Sequence, residues 1–293
     1  MGQKIKAIVR SLRPYQWSKN FFVFAPLIFA QKLLDWTATA QVVAAFCIFC
    51  LLSGGLYIFN DLQDYEEDKK HPKKCQRPIA AGLISQPTAY LIFISFSLFS
   101  LGTALLLRFE FFLLVLSYFI IQVLYSLKLK HVVILDVFII SAGFFLRVIA
   151  GGIVIAVPLS SWLLICTILL ALFLAMSKRR HELVLLETGA STHRPILEEY
   201  SPYFLDQMIS VVTASTLMAY CLYTISEETI NKFGTRNLVF TTPFVLYGIF
   251  RYLYLIHQKK EGGSPEELIF KDKPLLINIV LWLFTIGVIL YLK

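Results

Sequence analysis

The sequence predicts an all-α, polytopic membrane protein with nine transmembrane helices. Of its 293 residues, 57% are hydrophobic and 15% are aromatic, and the mean hydropathy is +0.70. This composition excludes a soluble globular protein of the same length. The five cysteines indicate neither a disulfide framework nor a zinc site, because the single CxxC pair, Cys47 and Cys50, lies inside an apolar run.

Nine apolar runs approach the roughly 20 residues that an α-helix needs to cross the hydrocarbon core. The first run is short and extends backward towards Trp17, and Ser85-Gln86-Pro87 is typical of a helix start before the third. The runs cover residues 21–34, 38–59, 88–107, 111–127, 132–157, 162–176, 203–225, 238–256 and 274–292.

The distribution of cations predicts the orientation in the membrane. Twenty of the 27 Lys and Arg residues lie in the N-terminal segment or in the loops after the second, fourth, sixth and eighth helices. Five lie on the opposite side, and Arg147 and Arg251 lie within spans. The positive-inside rule then places the N-terminus in the cytoplasm and the C-terminus outside, in the cell (plasma) membrane. We attribute the net charge of +8 to these loops and to anionic lipid or phosphate substrates, not to nucleic acid.

The chain is predicted to form one transmembrane domain over residues 1–293. Two long cytoplasmic loops, at about 60–87 and 177–202, are long enough to carry short helices and to cover a pocket. The loops follow the second and sixth helices, which is a weak indication of two pseudo-equivalent halves.

An acidic motif leaves the second apolar run. Asn60, Asp61, Asp64 and Asp68 recur at spacings of three and four residues, which stacks them along one helix face. Carboxylates held this close repel one another unless a cation lies between them, and oxygen ligands suit Mg²⁺. Asp61, Asp64 and Asp68 are therefore predicted as metal ligands and catalytic residues. The alternative is a solvated acidic helix end, but ionised groups at the mouth of an apolar helix are costly and more often functional.

Cations and polar groups near the same predicted face are candidates for binding phosphate. Lys74 and Arg77 follow the acidic motif, and Tyr125 and Lys130 follow the fourth run. The alternative for Tyr125 and its neighbouring lysines is anchoring at the headgroups.

Asp136 and Arg147 lie inside the fifth apolar run, about 16 Å apart along one helix. Each therefore needs a partner or a polar cavity. Asp136 could join the acidic site, whereas Arg147 is either a structural pair or a cavity-lining residue.

Lys178, Arg179 and Glu182 follow the sixth run. Lys178 and Glu182 could form an ordinary salt bridge at a spacing of four residues. The functional alternative is an electropositive wall for phosphate, with Glu182 orienting the cations or touching the metal shell.

These motifs resemble the UbiA superfamily of intramembrane prenyltransferases, in the decaprenyl-phosphate phosphoribosyltransferase branch. The similarity rests on NDxxDxxxD at 60–68 and RPIAAG at 77–82. It also rests on RPxQWxKN at 13–20, YSxxLKH at 125–131, LRxIAGG at 146–152 and KRxxEL at 178–183. The chain departs from most of the superfamily in lacking a second acidic motif after the sixth helix, where Lys178 and Arg179 lie instead.

The resemblance implies a UbiA-like bundle that transfers 5-phosphoribose from 5-phosphoribosyl diphosphate to a polyprenyl (decaprenyl) phosphate, releasing diphosphate, with Mg²⁺ as cofactor. It implies a role in arabinose-donor lipid and cell-wall synthesis. Asn60 would orient a ligand, and Lys74, Arg77, Lys178 and Arg179 would meet donor phosphates. Lys19 is a further predicted substrate-binding residue. Tyr125, Lys130 and Arg147 would hold the acceptor phosphate or line its path.

Two other functions remain open from the sequence. An aromatic prenyltransferase would use the acidic motif for a prenyl diphosphate, and the Lys178-Arg179 pair argues against it. A transporter for an organic anion or lipid would have broken helices at the midplane, whereas the charges here collect at one face.

Overall fold

The computed structural model describes residues 2–72, 74–187, 195–259 and 265–292, and every regular element in those ranges is a helix. The first half contains α1 to α7: Gly2–Ser11, Ala25–Phe29, Trp36–Gln63, Tyr65–Lys70, Gln86–Leu107, Phe109–Leu127 and Leu135–Val154. The second half contains α8 to α13: Ser161–Glu187, Pro202–Ile225, Glu227–Phe233, Thr242–His257, Pro265–Lys271 and Lys273–Tyr291. Short 3₁₀ helices lie at Pro14–Phe24, Lys74–Gln76, Leu129–His131, Pro195–Glu199 and Asn237–Thr241.

Eight helices in the described ranges are long and apolar enough to cross a membrane, and they overlap predicted spans two to nine. Their bounds are Trp36–Gln63, Gln86–Leu107, Phe109–Leu127, Leu135–Val154, Ser161–Val184, Pro202–Ile225, Asn237–His257 and Lys273–Tyr291. Side chains at their N-termini accept backbone hydrogen bonds and set where several begin. Asp35 caps α3, and Ser85 caps α5 at the predicted helix start.

The first predicted span has a different structure from the long α-helix expected over 21–34. A 3₁₀ helix runs over Pro14–Phe24 and passes directly into the short α2, which ends before Gln31. Pro14 is the first residue of the 3₁₀ helix and Pro26 is the second residue of α2, because proline lacks the N–H that an interior position needs. Gln31 has a φ of 56°, a left-handed conformation that stops the helix.

The chain divides into two compact units. Unit 1 comprises Met1–Leu159 with Gly189–Glu199, and unit 2 comprises Ser160–Thr188 with Tyr200–Lys293. In unit 1 the apolar core surrounds α3, whose membrane-length stretch is 67% buried, whereas that of α5 is 17% buried. α3 is therefore the central helix of unit 1, and its end carries the acidic motif. In unit 2, α8 packs on α9, and α11 packs on α13.

The two predicted cytoplasmic loops carry more helix than expected. Residues 60–87 contain the end of α3, all of α4 and a 3₁₀ turn, while Lys73 lies outside the described residues. α8 continues through Glu187, so Lys178, Arg179 and Glu182 lie within a helix and not in a loop after it. The rest of that loop at 188–194 lies outside the described residues.

Candidate active site

The acidic motif spans the junction between α3 and α4. α3 ends at Gln63 and Asp64 interrupts the helix, yet the Asp64 and Asp68 amides still donate to the carbonyls four residues earlier, at 3.0 and 2.8 Å. The predicted continuous helix is thus broken for one residue only. Asp61 and Asp68 are buried, with 2% and 1% of their surface exposed. Carboxylates buried this deeply require cations or hydrogen-bond donors beside them.

Arg77 joins the two buried carboxylates. Its Nη1 donates to Asp61 Oδ1 at 3.0 Å and to Asp68 Oδ2 at 2.6 Å. Burial raises the pKa of the Asp68 carboxyl above its ordinary value, and the charge of Arg77 opposes that shift. The guanidinium therefore favours the ionised form of Asp68, and a single nitrogen serves both acids.

Arg13 is a site residue that the sequence reasoning did not select. Its Nη2 donates to Asp61 Oδ1 at 2.5 Å, and its guanidinium lies over the Tyr57 ring at 5.2 Å. Arg13 has a φ of 50°, an uncommon conformation for a residue other than glycine, and it leads into the 3₁₀ helix. The sequence did place Arg13 in the RPxQWxKN motif. Its partner Asp61 lies 48 positions later in the chain.

Asp64 belongs to a second pair. Lys130 reaches it from the 3₁₀ turn Leu129–His131, and the Lys130 Nζ hydrogen-bonds to Asp64 Oδ1. Asn60 Nδ2 donates to the other carboxylate oxygen of Asp64 at 2.9 Å. The structure thus brings the predicted residues Asn60, Asp64 and Lys130 together. Three carboxylates and the cations of Arg13, Arg77 and Lys130 form a charge-balanced set.

The carboxylates fit Mg²⁺ as a pair and not as a cluster of three. In the part of the chain that the structure describes, no three His, Cys, Asp or Glu side chains are grouped closely enough to hold a metal ion. Asp61 and Asp68 do converge, and the Arg77 nitrogen occupies the place of a cation shared between them. Mg²⁺ is typically held by one or two carboxylates, with water and substrate phosphates completing its shell. The residues present therefore fit that ion.

The other predicted residues of unit 1 lie in several different elements. Asp136 is fully buried in the first turn of α7, where the helix N-terminus favours a carboxylate. Tyr125 is half-buried in the last turn of α6, ahead of Lys130. Lys74 opens the 3₁₀ turn that leads to Arg77, and its charge reaches Asp68. The Lys19 Nζ donates to Gln16 Oε1 at 3.4 Å.

Arg147 has the structural role that the sequence left open. The side chain is 5% exposed, and its Nε donates to Asn20 Oδ1 at 2.7 Å. Its Nη1 and Nη2 donate to the Gly143 carbonyl and the Tyr118 hydroxyl, at 2.7 and 2.8 Å. All three guanidinium nitrogens of Arg147 thus donate to acceptors within the protein. Arg147 ties the 3₁₀ helix Pro14–Phe24 to α6 and α7.

Lys178, Arg179 and Glu182 lie on α8 in unit 2. Arg179 is 1% exposed, and its Nη1 donates to Glu182 Oε2 at 2.7 Å, so Arg179 is a partner of Glu182 at a spacing of three residues. From the sequence, a salt bridge between Lys178 and Glu182 was one of two alternatives for these residues. The neighbouring Arg180, which the sequence analysis did not single out, pairs with Asp206 of α9.

Comparison with known proteins adds three findings. The UbiA prenyltransferase family matches residues 21–271, which includes parts of both units. A protein of Mycolicibacterium smegmatis named decaprenyl-phosphate phosphoribosyltransferase is 33% identical, over 98% of this chain and 93% of its own length. A Mycobacterium tuberculosis protein of the same name is 30% identical over 97% of this chain and 94% of its own length.

The fold is also shared with solved structures. A UbiA homologue from Archaeoglobus fulgidus, bound to GPP and Mg²⁺, superposes with a TM-score of 0.72 at 19% identity. The match covers 97% of this chain and 99% of that one.

Proposed function

The chain belongs to the UbiA prenyltransferase family, and from that premise we propose that it transfers 5-phosphoribose from 5-phosphoribosyl diphosphate to a polyprenyl phosphate. Relatives named decaprenyl-phosphate phosphoribosyltransferase, similar over nearly their full length, support this activity. The acceptor is a polyprenyl phosphate of the decaprenyl class. We further propose that the product serves arabinose-donor lipid and cell-wall synthesis.

The observation that carries the proposal is the pairing of three carboxylates with three cations at the end of α3. Arg77 forms salt bridges with both Asp61 and Asp68. Asp61 also forms a salt bridge with Arg13, and Asp64 forms one with Lys130. A donor with a diphosphate needs fixed positive charge for its phosphate oxygens and carboxylates for a bound cation. Both kinds of group are present here within one partly buried cluster.

Asp61 and Asp68 are the residues that would hold Mg²⁺, with Asp64 beside them. When bound, the ion would neutralise the charge that develops on the leaving diphosphate. Arg13 and Arg77 then bind and orient the donor phosphates, and Lys74 extends this positive surface. Lys130, which the resemblance placed with the acceptor, is proposed to bind the donor as well, because it contacts Asp64 of the acidic motif. Asn60 keeps the Asp64 carboxylate in place through its amide.

The transfer forms one bond and breaks one. An oxygen of the acceptor phosphate attacks the anomeric carbon of the ribose, the bond from that carbon to the diphosphate oxygen breaks, and diphosphate leaves. A phosphate monoester is already largely ionised near neutrality, so no strong base is required. Tyr125 and Asp136 are proposed to line the acceptor side, and Lys19 to attract the phosphates.

The roles of Lys178, Arg179 and Glu182 rest on their sequence position. These residues stand where most of the superfamily has a second acidic motif, and we propose that the cations bind the 5-phosphate of the donor. Arg179 is oriented by Glu182. Cations in place of carboxylates favour a donor with an additional phosphate over a prenyl diphosphate.

The membrane arrangement is also a proposal. We infer a multi-pass protein of the cell (plasma) membrane whose acidic motif faces the cytoplasm, where soluble phosphorylated donors are found. The 3₁₀ helix and α2 together cover residues 14–29, and at about 2.0 and 1.5 Å per residue they span about 30 Å. That length matches the hydrocarbon core, so this segment is proposed as a ninth crossing.

A transfer assay tests the activity. Protein in detergent is incubated with labelled 5-phosphoribosyl diphosphate, a polyprenyl phosphate and Mg²⁺, and lipids are extracted and separated. We expect a labelled lipid that disappears with a chelator. Asp61→Asn should lower its formation by about 100-fold or more, because residue 61 loses the negative charge that would bind Mg²⁺ and that pairs with Arg13 and Arg77. Glu66→Gln, at an exposed carboxylate of the same segment, is the matched control.

Either of two results would reject the assignment. Absence of labelled lipid, with prenylation of an aromatic acceptor from a prenyl diphosphate by the same preparation, would establish the aromatic prenyltransferase. Equal activity in Asp61→Asn and Glu66→Gln would show that the acidic cluster does not take part.

A further inference from the structure

The N-terminal helix α1 has an exposed apolar strip with cations on both sides. Ala7 and Ser11 are buried against the rest of unit 1. On the opposite face, Ile5 and Val9 are 55% and 48% exposed and lie one turn apart. The exposed cations flank this strip: at 3.6 residues per turn, Lys4 lies on one side, and Lys6 and Arg10 lie on the other. Such a pattern is typical of a helix that lies in a membrane interface.

The residues directly after α1 mark the level of that interface. Tyr15 is 55% exposed. The Trp17 indole N–H donates to the Leu12 carbonyl at 3.2 Å. Tyr and Trp are enriched where the headgroups meet the hydrocarbon core. Because these aromatics follow α1 within a few residues, α1 lies at the headgroup level of the predicted cytoplasmic face.

α1 is also joined to the acidic cluster through two consecutive residues. Leu12 packs on α3, where a Cβ added at Gly54 would lie 3.0 Å from Leu12 Cδ2. The next residue, Arg13, forms a salt bridge with Asp61, and its backbone has a left-handed conformation. A change in the position of α1 therefore changes the position of Arg13, because no flexible linker separates the two.

We propose that α1 is a docking surface for anionic phospholipid, and that docking seats Arg13 on Asp61. Ile5 and Val9 enter the interface, while Lys4, Lys6 and Arg10 meet the lipid phosphates. Anionic surfaces attract juxtamembrane lysines and arginines, and this attraction is screened by salt. The docking rests on α1 alone; its effect on turnover rests on the proposed phosphoribosyl transfer.

Hydrogen–deuterium exchange of the full chain in nanodiscs tests the docking independently of turnover. Exchange over residues 2–11 is compared in zwitterionic discs and in discs with about one third anionic phospholipid. We expect exchange about tenfold slower or more with anionic lipid, and loss of this protection in 1 M salt, where the screening length falls to about 3 Å.

Two variants and one control identify the surface. Lys4→Gln/Lys6→Gln/Arg10→Gln should abolish the lipid dependence, and Ile5→Ser/Val9→Ser should raise exchange in both discs. Lys32→Gln/Lys232→Gln/Arg236→Gln removes the same charge from the predicted opposite face and should leave exchange over 2–11 unchanged. Protection that is equal in both lipids, or retained by the first variant, overturns the docking.

Steady-state transfer in the same discs tests the connection to Arg13. The KM for 5-phosphoribosyl diphosphate should rise in zwitterionic lipid and in the α1 charge variant, with a smaller change in kcat. An unchanged KM despite altered exchange would overturn the seating of Arg13. An inactive protein whose α1 still responds to anionic lipid would support the docking and count against phosphoribosyl transfer.

Discussion

At the scale of single residues, the candidate site depends on which cation meets which carboxylate. Asp61 and Asp68 share one guanidinium nitrogen, while Asp64 is held apart by Lys130 and Asn60. The spacing of the acidic motif predicted the carboxylates, because neighbours on one helix turn are a local property. Arg13 could not be predicted in the same way, since its contact joins positions 48 apart.

Lys130 should contribute to binding the donor, and Lys128 should not. Lys130→Met removes a buried cation that contacts the partly buried Asp64, which we expect to weaken donor binding by about 1.5–3 kcal/mol, or about 10- to 150-fold in donor KM. Lys128 lies two positions earlier and is exposed, so Lys128→Met is the matched control. Donor titrations of both variants measure the effect, and equal KM values would contradict the role of Lys130.

At the scale of elements, the 3₁₀ helix Pro14–Phe24 is held against α7 by two kinds of contact. Arg147 binds Asn20 through its Nε. One turn further along α7, Gly151 meets the backbone of Val23, and a Cβ added there would lie 2.0 Å from the Val23 carbonyl oxygen. The LRxIAGG segment therefore positions the 3₁₀ helix that directly follows Arg13.

Gly151→Ala should displace this element. The clash is with backbone and cannot be relieved by a side-chain rotation, so we expect a loss of several kcal/mol together with most of the activity. Gly102→Ala in α5, where an added Cβ meets nothing within 4 Å, should be neutral or stabilising by about 0.5–1 kcal/mol. Thermal unfolding in detergent compares the two, and equal melting temperatures would refute the close packing.

The start of α13 depends on one carboxylate. Asp272 accepts from the Leu275 amide at 2.9 Å and from Arg251 Nη2 at 2.8 Å. The hydrogen bond from Arg251 is the main cause that holds the pKa of Asp272 below its ordinary value. The ionised Asp272 therefore stabilises the fold fully when the pH is above the ordinary pKa. This stabilisation is lost as the pH falls through the lowered pKa of the folded protein.

Asp272→Ala should therefore lower stability by about 1–2 kcal/mol at neutral pH. The difference from the unmodified protein should shrink in strong acid, where Asp272 is protonated. Melting temperatures recorded across pH measure this, and a deficit that stays constant down to the lowest pH would contradict the ionic contribution.

At the scale of the whole molecule, the open question is whether the segment 14–29 crosses the membrane. Eight described helices are long and apolar enough to span, and an even number of crossings would place both termini on one side. The proposed ninth crossing places them on opposite sides. Its reach of about 30 Å depends on the longer rise per residue of a 3₁₀ helix.

Reporter fusions at the two termini decide between these arrangements. We expect a cytoplasmic reporter to be active at the N-terminus and an external reporter at the C-terminus. The charge distribution predicts the same orientation, with most Lys and Arg on the N-terminal side. Termini found on one side would reject the ninth crossing and leave the first segment within the membrane interface or as a re-entrant element.

Composition and periodicity by themselves determined the helical membrane class, eight of the spans and the acidic motif, because run length and helix spacing are local properties of the chain. Only the tertiary structure decided the 3₁₀ form of the first segment, the interruption at Asp64 and the partners of the charged groups. Arg13–Asp61, Lys130–Asp64 and Arg147–Asn20 join positions 48, 66 and 127 apart. Such pairs depend on how helices pack, since a buried charge binds whichever partner the neighbouring helix presents.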